Sequence, residues 1–294
     1  MKFNYVFLIV LLSAGNLHAE DSDLTPVSVL ADSSSSYARF VPKRSDDFAW
    51  ENDRVAFRVY GPALKNSAEN SGIDCWLKRV DYPIIDKWYE GHFNGKSYHK
   101  DTGEGYDPYH VGSSRGCGGL AVWRDGKPLT SNVFDSWEIL KNGPDTVQFK
   151  LTYAWELEEG QLLETRITTL SKGEQLFTIN STFTLNGNPV ANLPLAIGLT
   201  THDGKAKTYQ DEKAGWMICW ETLNGSDLGS AVVIDPSRIQ EIFESPVTGK
   251  DTGHLWCLTA TDSEGKLEYR AGFAWDKAGK ITTLDAWKAY LISQ

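Results

Sequence analysis

The sequence predicts an all-β protein, a single large antiparallel β-sandwich closed by a short C-terminal helix, and three observations carry that expectation. Apolar residues recur at every second position over several runs of strand length, polar and glycine-bearing turns separate the runs at roughly ten to fifteen residue spacing, and helical periodicity appears only at the end. No fixed-period repeat and no shift in composition marks an interdomain linker, so two sheets burying alternate faces against each other are the economical architecture.

In chain order, Met1 to Ala19 holds Lys2, a short apolar run from Val6 to Leu12, and Leu17-His18-Ala19 ahead of acidic Glu20-Asp21. That order is a secretory signal peptide cleaved after Ala19. The run is too short to span a bilayer, and no cysteine stands at the cleavage point to carry a lipid, which predicts a soluble periplasmic or secreted protein. Residues 20–44, with Ser33 to Ser36 and two prolines, read as a flexible lead-in, and residues 45–294 as the sandwich. Val55, Phe57 and Val59 alternate with Arg54, Ala56 and Arg58, the period of a half-buried strand. The alternation returns at Val147 to Trp155, at Leu163, Thr165, Ile167 and Thr169, and at Phe177 to Leu185. Glu159-Gly160, Lys172-Gly173 and Asn186-Gly187-Asn188-Pro189 supply the turns between them. Runs at 215–221, 229–235, 255–261 and 267–275 continue the pattern, and Leu284, Trp287 and Leu291 at helical intervals end it.

The chain carries 29 basic against 39 acidic residues, a formal net charge of −10, and loss of Lys2 with the leader makes the balance more acidic. Such a chain is a poor general binder of nucleic acid or of anionic membrane, and an anionic substrate needs a local cationic pocket. Four cysteines, Cys75, Cys117, Cys219 and Cys257, lack the close spacing of a zinc ribbon. In an exported protein they allow three disulfide pairings, and buried free thiols are an equally plain reading. Eleven tryptophans and twelve tyrosines suit both a core and a sugar-stacking surface. Trp123, Trp155 and Trp275 fall on strand patterns and read as core, whereas Trp88 and Tyr89 read as an exposed face.

Nucleotide and protease templates are missing: there is no phosphate-binding Gly-x-x-x-x-Gly-Lys-Ser/Thr loop, dinucleotide fingerprint, His-Glu-x-x-His or Gly-x-Ser-x-Gly elbow. What remains is Tyr98 to Gly119, a stretch dense in ionisable groups and glycine that suits a functional loop. Three of the five histidines outside the leader, His92, His99 and His110, lie in or just ahead of it. A divalent metal is one use for such a cluster, although the spacing fits no single helix face. Proton transfer is the other, because histidine titrates near neutrality. Lys100 and Arg115 supply a cationic patch for a carboxylate. Glu104 and Asp107 read as turn-capping groups, with a glycosidase carboxylate pair or a calcium loop as the other uses of acids there. Downstream, His202 follows an apolar strand into a polar turn at a sheet rim, Glu221 closes a later strand, and Tyr209 lies between them.

The segments Trp50 to Gly61, Ser71 to Val80, Lys87-Trp88-Tyr89, and Tyr98 to Gly119 with its Val111-Gly112 and Gly116-Cys117-Gly118-Gly119 resemble a bacterial family catalogued as a domain of unknown function, which includes the oligosaccharide dehydratase of ulvan breakdown. The resemblance runs from about Phe40 to near the C terminus. It implies a sandwich related to the galactose-mutarotase-like and polysaccharide-lyase folds. It also implies elimination of water from the terminal uronic acid of an algal oligosaccharide, leaving a 4,5-unsaturated ring.

Reaction chemistry then suggests roles: Lys100 and Arg115 hold the carboxylate, His99 or His110 is the base, and His202 or a tyrosine such as Tyr209 protonates the leaving hydroxyl. Trp88, Tyr109 and Glu221 complete the sugar contacts. No cofactor is expected, and the partner is a uronate-containing oligosaccharide. A lyase that expels a sugar, a non-catalytic carbohydrate-binding module, and an epimerase or mutarotase are the competing readings.

Overall fold

Alternating side chains become layers once strands pair, and the computed structural model, which describes residues 36–294, shows how. The expected leader, and the lead-in up to residue 35, lie outside the described residues. Five strands come first: β1 (Tyr37–Val41), β2 (Asp47–Glu51), β3 (Ala56–Val59), β4 (Asp74–Lys78) and β5 (Gly105–Tyr106), with helix α1 (Ile85–Phe93) between the last two. They pair antiparallel in chain order. Thereafter come β6 (Cys117–Arg124), β7 (Lys127–Leu129), β8 (Ser136–Asn142), β9 (Thr146–Leu157), β10 (Gly160–Ser171), β11 (Leu176–Leu185) and β12 (Asn188–Pro189). The chain continues through β13 (Pro194–Thr200), β14 (Lys207–Asp211), β15 (Trp216–Leu223), β16 (Ser226–Val233), β17 (Glu241–Glu244), β18 (His254–Ala260), β19 (Lys266–Trp275) and helix α2 (Leu284–Ile292).

A nine-stranded sheet runs β14-β15-β16-β19-β11-β10-β9-β8, with β12 paired to β11, and a second five-stranded sheet runs β17-β18-β13-β6-β7. Phe149, Phe177 and Phe273 from the large sheet meet Trp50 and Phe57 from the first small sheet, with ring centroids 4.8 to 5.6 Å apart. Leu120, Ile197 and Cys257 of the other small sheet join the same core. A parallel bridge between Ile73 and Gly116 links the two small sheets, Cys117 N donating to Ile73 O at 2.9 Å. The two therefore act as halves of one layer facing the large sheet, the expected all-β antiparallel sandwich. The terminal helix is also where helical spacing put it. Its Thr283 cap accepts from Ala286 N, and Trp287 and Leu291 pack on Trp216 and Ile218 of the large sheet's outer face. Among the described residues no helix is long and apolar enough to cross a membrane.

Three expectations need correction. The lead-in through Arg44 is not loose from Ser36 on, because Tyr37–Val41 is a strand paired with β2. The strand around Phe57 is buried on both faces rather than one, and Arg58 is only 4% exposed. Its outer face is covered by α1 and the segment after it, where Trp76, Trp88, Tyr89 and Tyr98 form a second cluster. Trp88 and Tyr89 are therefore buried, not the exposed sugar face their position suggested.

Charges sit inside this cover, and each is paired. Glu51 accepts from the backbone N–H groups of Ile84 and Ile85 at the start of α1, and from Lys78 Nζ at 2.7 Å. That carboxylate satisfies both the helix N-terminus and a buried ammonium. Arg58 is the centre of a larger network. Its guanidinium donates to Asp74, to Asp107 at 3.2 Å, to Asp47 at 3.4 Å and to the Tyr98 hydroxyl at 3.1 Å, and Tyr89 donates to Asp47 at 2.9 Å. Three carboxylates share one buried guanidinium, and Arg44 stands 3.9 Å from Asp47 as a second, partly exposed cation. Burial pushes Asp47 up to about 6, against the lowering pull of Arg58 and Arg44.

That shift has a definite sign. A carboxyl raised in the fold stabilises it most when protonated, so its contribution is full below about pH 4 and is lost as pH rises through about 6. The rise is worth about 3 kcal/mol. Denaturant titrations of Asp47→Asn should therefore show a larger stability deficit against wild type at pH 4 than at pH 7. A pH-independent deficit would show that Asp47 carries no such proton.

Candidate functional site

The site is built on an irregular run, Asp107-Pro108-Tyr109-His110, between β5 and β6. Asp107 and Tyr109 are buried while the His110 side chain is 54% exposed, so inward and outward groups alternate. Three residues of chain span at most about 10 Å. At the start of the run, His99 Nδ1 lies 2.8 Å from the Asp107 carbonyl oxygen. At the end, His202 Nε2 lies 2.9 Å from the His110 carbonyl oxygen. One short segment thus carries three of the histidines that the sequence singled out.

His202 arrives from β13 at the sandwich rim, as its position after an apolar strand predicted. It and Asp203 both take left-handed backbone conformations, φ 47° and 58°, ahead of Gly204. Histidine and aspartate enter that region more readily than most residues, and here it turns the chain sharply at the rim. Thr200 Oγ1, accepting from His202 N at 3.1 Å, and Thr201 Oγ1, accepting from Gly204 N at 3.1 Å, hold the turn. The imidazole is buried against the edge of the Tyr109 ring, centroids 4.7 Å apart, and its Nδ1 lies 2.6 Å from Glu221 Oε1 on β15. The large sheet and the small sheet therefore meet across His202 and Glu221.

Partner chemistry fixes the protons. A carbonyl oxygen only accepts, so His202 carries a proton on Nε2, and a second proton lies between Nδ1 and Glu221. By the same rule His99 is protonated on Nδ1 and presents Nε2 outward. His254, behind the site, donates from Nδ1 to Thr252 O at 3.0 Å and accepts at Nε2 from Arg115 N at 3.0 Å. Its burial drops its pKa to about 4, so it is a neutral brace. His110 is nearly as open as His99. Its Nε2 lies 2.8 Å from Asp251 Oδ1, and its other ring nitrogen has no hydrogen-bond partner among the described residues.

The remaining candidates separate. Tyr109, His110, His202 and Glu221 converge, and His99 is bonded to the start of the same run. Tyr209 stands elsewhere, on the outer face of the large sheet under α2, with Lys288 Nζ 4.5 Å over its ring. It pairs with Ile218, whose side chain lies on the face opposite Cys219 and Glu221. Arg115 is not an open clamp for a carboxylate. It is 1% exposed and spends its donors on Ser71 Oγ at 2.9 Å, Leu120 O at 3.2 Å and Asn70 Oδ1, with its stem packed across Gly198. Burial, with Arg166 nearby, lowers its guanidinium to about 9.

Lys100 and Trp88 belong to a groove of about 610 Å³ along the end of α1, also lined by Lys87, Lys96 and Tyr98. None of Tyr109, His110, His202 or Glu221 lines it. His99, between Tyr98 and Lys100 in the chain, is the link between groove and histidine run. Glu104, on the groove wall, accepts from Tyr82 and Lys87. Asp107 belongs to the Arg58 network. Neither acid is arranged as an open catalytic pair.

Sequence reasoning missed Asp251, which reaches His110 from 141 residues away. Its only local signal is a glycine-flanked polar turn, Gly249-Lys250-Asp251-Thr252-Gly253. Among the described residues no group of three or more His, Cys, Asp and Glu side chains is arranged to hold a metal ion. The four cysteines are free and buried, and burial pushes Cys257 up to about 12 and Cys75 and Cys219 well above the usual thiol range. That removes thiolate chemistry from the site.

His254 gives the site an acid limit. A histidine lowered in the fold contributes stability above about pH 6.5 that is lost as pH falls through about 4, here about 3 kcal/mol. His254→Gln should therefore close part of its stability gap to wild type on going from pH 7 to pH 4, opposite in sign to Asp47→Asn. Urea titrations at both pH values measure this, and a gap that widens at pH 4 would contradict the neutral brace.

Comparison with known proteins supplies the family. An uncharacterized protein, P7, of Formosa agariphila is 38% identical over 267 residues, which are 87% of this chain and 66% of that protein, so the chain spans a little under two thirds of its relative. Among solved structures, a TPR-domain containing protein from Parabacteroides distasonis is similar at 9% identity and a TM-score of 0.38, over 78% of this chain and 46% of that one, a likeness too slight to carry an argument. A family model matches residues 12–294, and the chain belongs to the family described as Domain of unknown function (DUF4861).

Proposed function

We propose that this protein is a carbohydrate-active β-eliminating enzyme that dehydrates the terminal uronic acid of polysaccharide-derived oligosaccharides, ulvan fragments among them. The observation that carries the reading is His110: an exposed imidazole with one nitrogen held by a carboxylate and the other free, on a run whose backbone is fixed from both ends. That is the arrangement a general base needs. The base takes the proton from C5 beside the carboxylate, the electron pair closes the C4–C5 double bond, and the 4-hydroxyl leaves as water with one added proton. Both nitrogens of His202 are engaged, so His110 itself, protonated in the first step, returns the proton to the leaving oxygen. His202 and Glu221 hold it in place.

Arg115 is occupied and Lys87 is spent on Glu104, which leaves Lys96 and Lys100 as the ammonium groups without a side-chain partner among the described residues, in a groove that Glu90 and Glu104 also line. Two such groups side by side in a protein of net charge −10 favour an anionic saccharide over a neutral one. The leader read in the sequence would place the reaction outside the cytoplasm, where polysaccharide fragments arrive.

Incubation with lyase-generated ulvan oligosaccharides, and with other uronate oligosaccharides, should yield an ultraviolet-absorbing product lighter by one water, with the chain length unchanged. His110→Ala should lower kcat by about 10²- to 10⁴-fold while the protein stays folded. A product split in two would instead make the enzyme a lyase. Tight binding of intact glycan with no chemical change, unaltered in His110→Ala, would leave a carbohydrate-binding module.

A further inference from the structure

His110 is held by a residue whose geometry assigns it a role of its own. Asp251 Oδ1 lies 2.8 Å from His110 Nε2, and its Oδ2 accepts from Ser113 N at 3.3 Å. The Asp251 side chain is 9% exposed, whereas the imidazole it holds is 54% exposed. A fixed, buried carboxylate thus grips one edge of an open ring. Asp251 reaches this position from a turn pinned by Thr252 Oγ1, which accepts from Thr248 N at 3.0 Å and Gly249 N at 2.9 Å. Its own backbone is left-handed, φ 64°.

Gly112 completes the device. It has φ 52°, and a Cβ there would stand 2.1 Å from Asp251 Oδ2 and 2.9 Å from His110 Nε2. Only glycine leaves room for the carboxylate beside the ring.

We propose that Asp251 is a positioning residue: it locks His110 in the Nε2–H tautomer and presents Nδ1 to the substrate, and the missing side chain of Gly112 is what admits it. The role in turnover rests on the proposed elimination, while the tautomer lock does not. Ser113 N–H needs an acceptor, so an asparagine at 251 turns its oxygen to Ser113 and its NH₂ to the ring. His110 Nε2 must then accept, and the proton moves to Nδ1. The nitrogen meant to face substrate becomes the occupied one.

The test is the ¹⁵N spectrum of the imidazoles in the whole protein near and above neutral pH. Wild type should show His110 as a single Nε2–H tautomer, Asp251→Asn as the Nδ1–H tautomer, and Gly112→Ala as a mixture, since it ejects the carboxylate without changing any ionisable group. On a uronate oligosaccharide that wild type dehydrates, both variants should lose kcat on the order of 10²-fold with little change in KM. A mixed tautomer in wild type overturns the lock, and needs no variant to fold. Unchanged tautomers in a folded Asp251→Asn overturn it too, and an unchanged kcat in both variants overturns the positioning role. A locked wild-type tautomer without any unsaturated product would uphold the lock and sink the elimination, so the two failures are distinct.

Discussion

The buried guanidinium of Arg58 is the interaction on which the placement of the site depends. A charge taken out of water persists only when it is paired and hydrogen-bonded, and Arg58 meets that demand with Asp47, Asp74 and Asp107 from three separate segments and with Tyr98 from the loop beyond α1. Asp107 is both a member of this network and the first residue of the run that ends in His110. The same residue offers its carbonyl to His99. A network that looks purely structural therefore sets where two exposed imidazoles stand, and burial raises its Asp47 carboxyl although Arg58 and Arg44 pull the other way.

From that anchor the run crosses to the sandwich rim, where His202 and Glu221 tie its far end to the large sheet. Left-handed backbone recurs around it, at His202, Asp203 and Asp251, and Gly112 leaves the space that the Asp251 carboxylate occupies. Threonine hydroxyls and the carboxylates of Glu221 and Asp251 hold these groups in place. His254 and Arg115 fill the space behind the site as neutral and occupied groups, and the imidazoles of His99 and His110 face outward.

Much of the fold was legible because alternation is a direct trace of burial. The runs at Val147 to Trp155 and Phe177 to Leu185 became β9 and β11 with the apolar phase inward. Strand β10 was found but its faces were not: Leu163 is exposed and Ile167 only half-buried, while Glu164 and Arg166 face inward as a bidentate pair with Arg166 4.3 Å over the Tyr153 ring. Hydropathy counts both as outward, and only the pairing with β9 and β11 reveals that they neutralise each other. Arg58 and Arg115 were misread for the same reason. A cation in the sequence looks available, and whether its donors are already spent is a matter of distant neighbours.

Local sequence sufficed for the sheet-rich class, the terminal helix, and a set of candidate polar residues, because residue type and spacing act over a few positions. Tertiary structure decided which of them meet. It brought Tyr109, His110, His202 and Glu221 together, moved Lys100 and Trp88 into a neighbouring groove, and sent Tyr209 to the opposite face of its sheet. It also added Asp251, 141 residues from His110. The reason is that a strand's face is set by a period of two, whereas the partner across a sandwich is set by sheet order and register, and neither is written in any local stretch of chain.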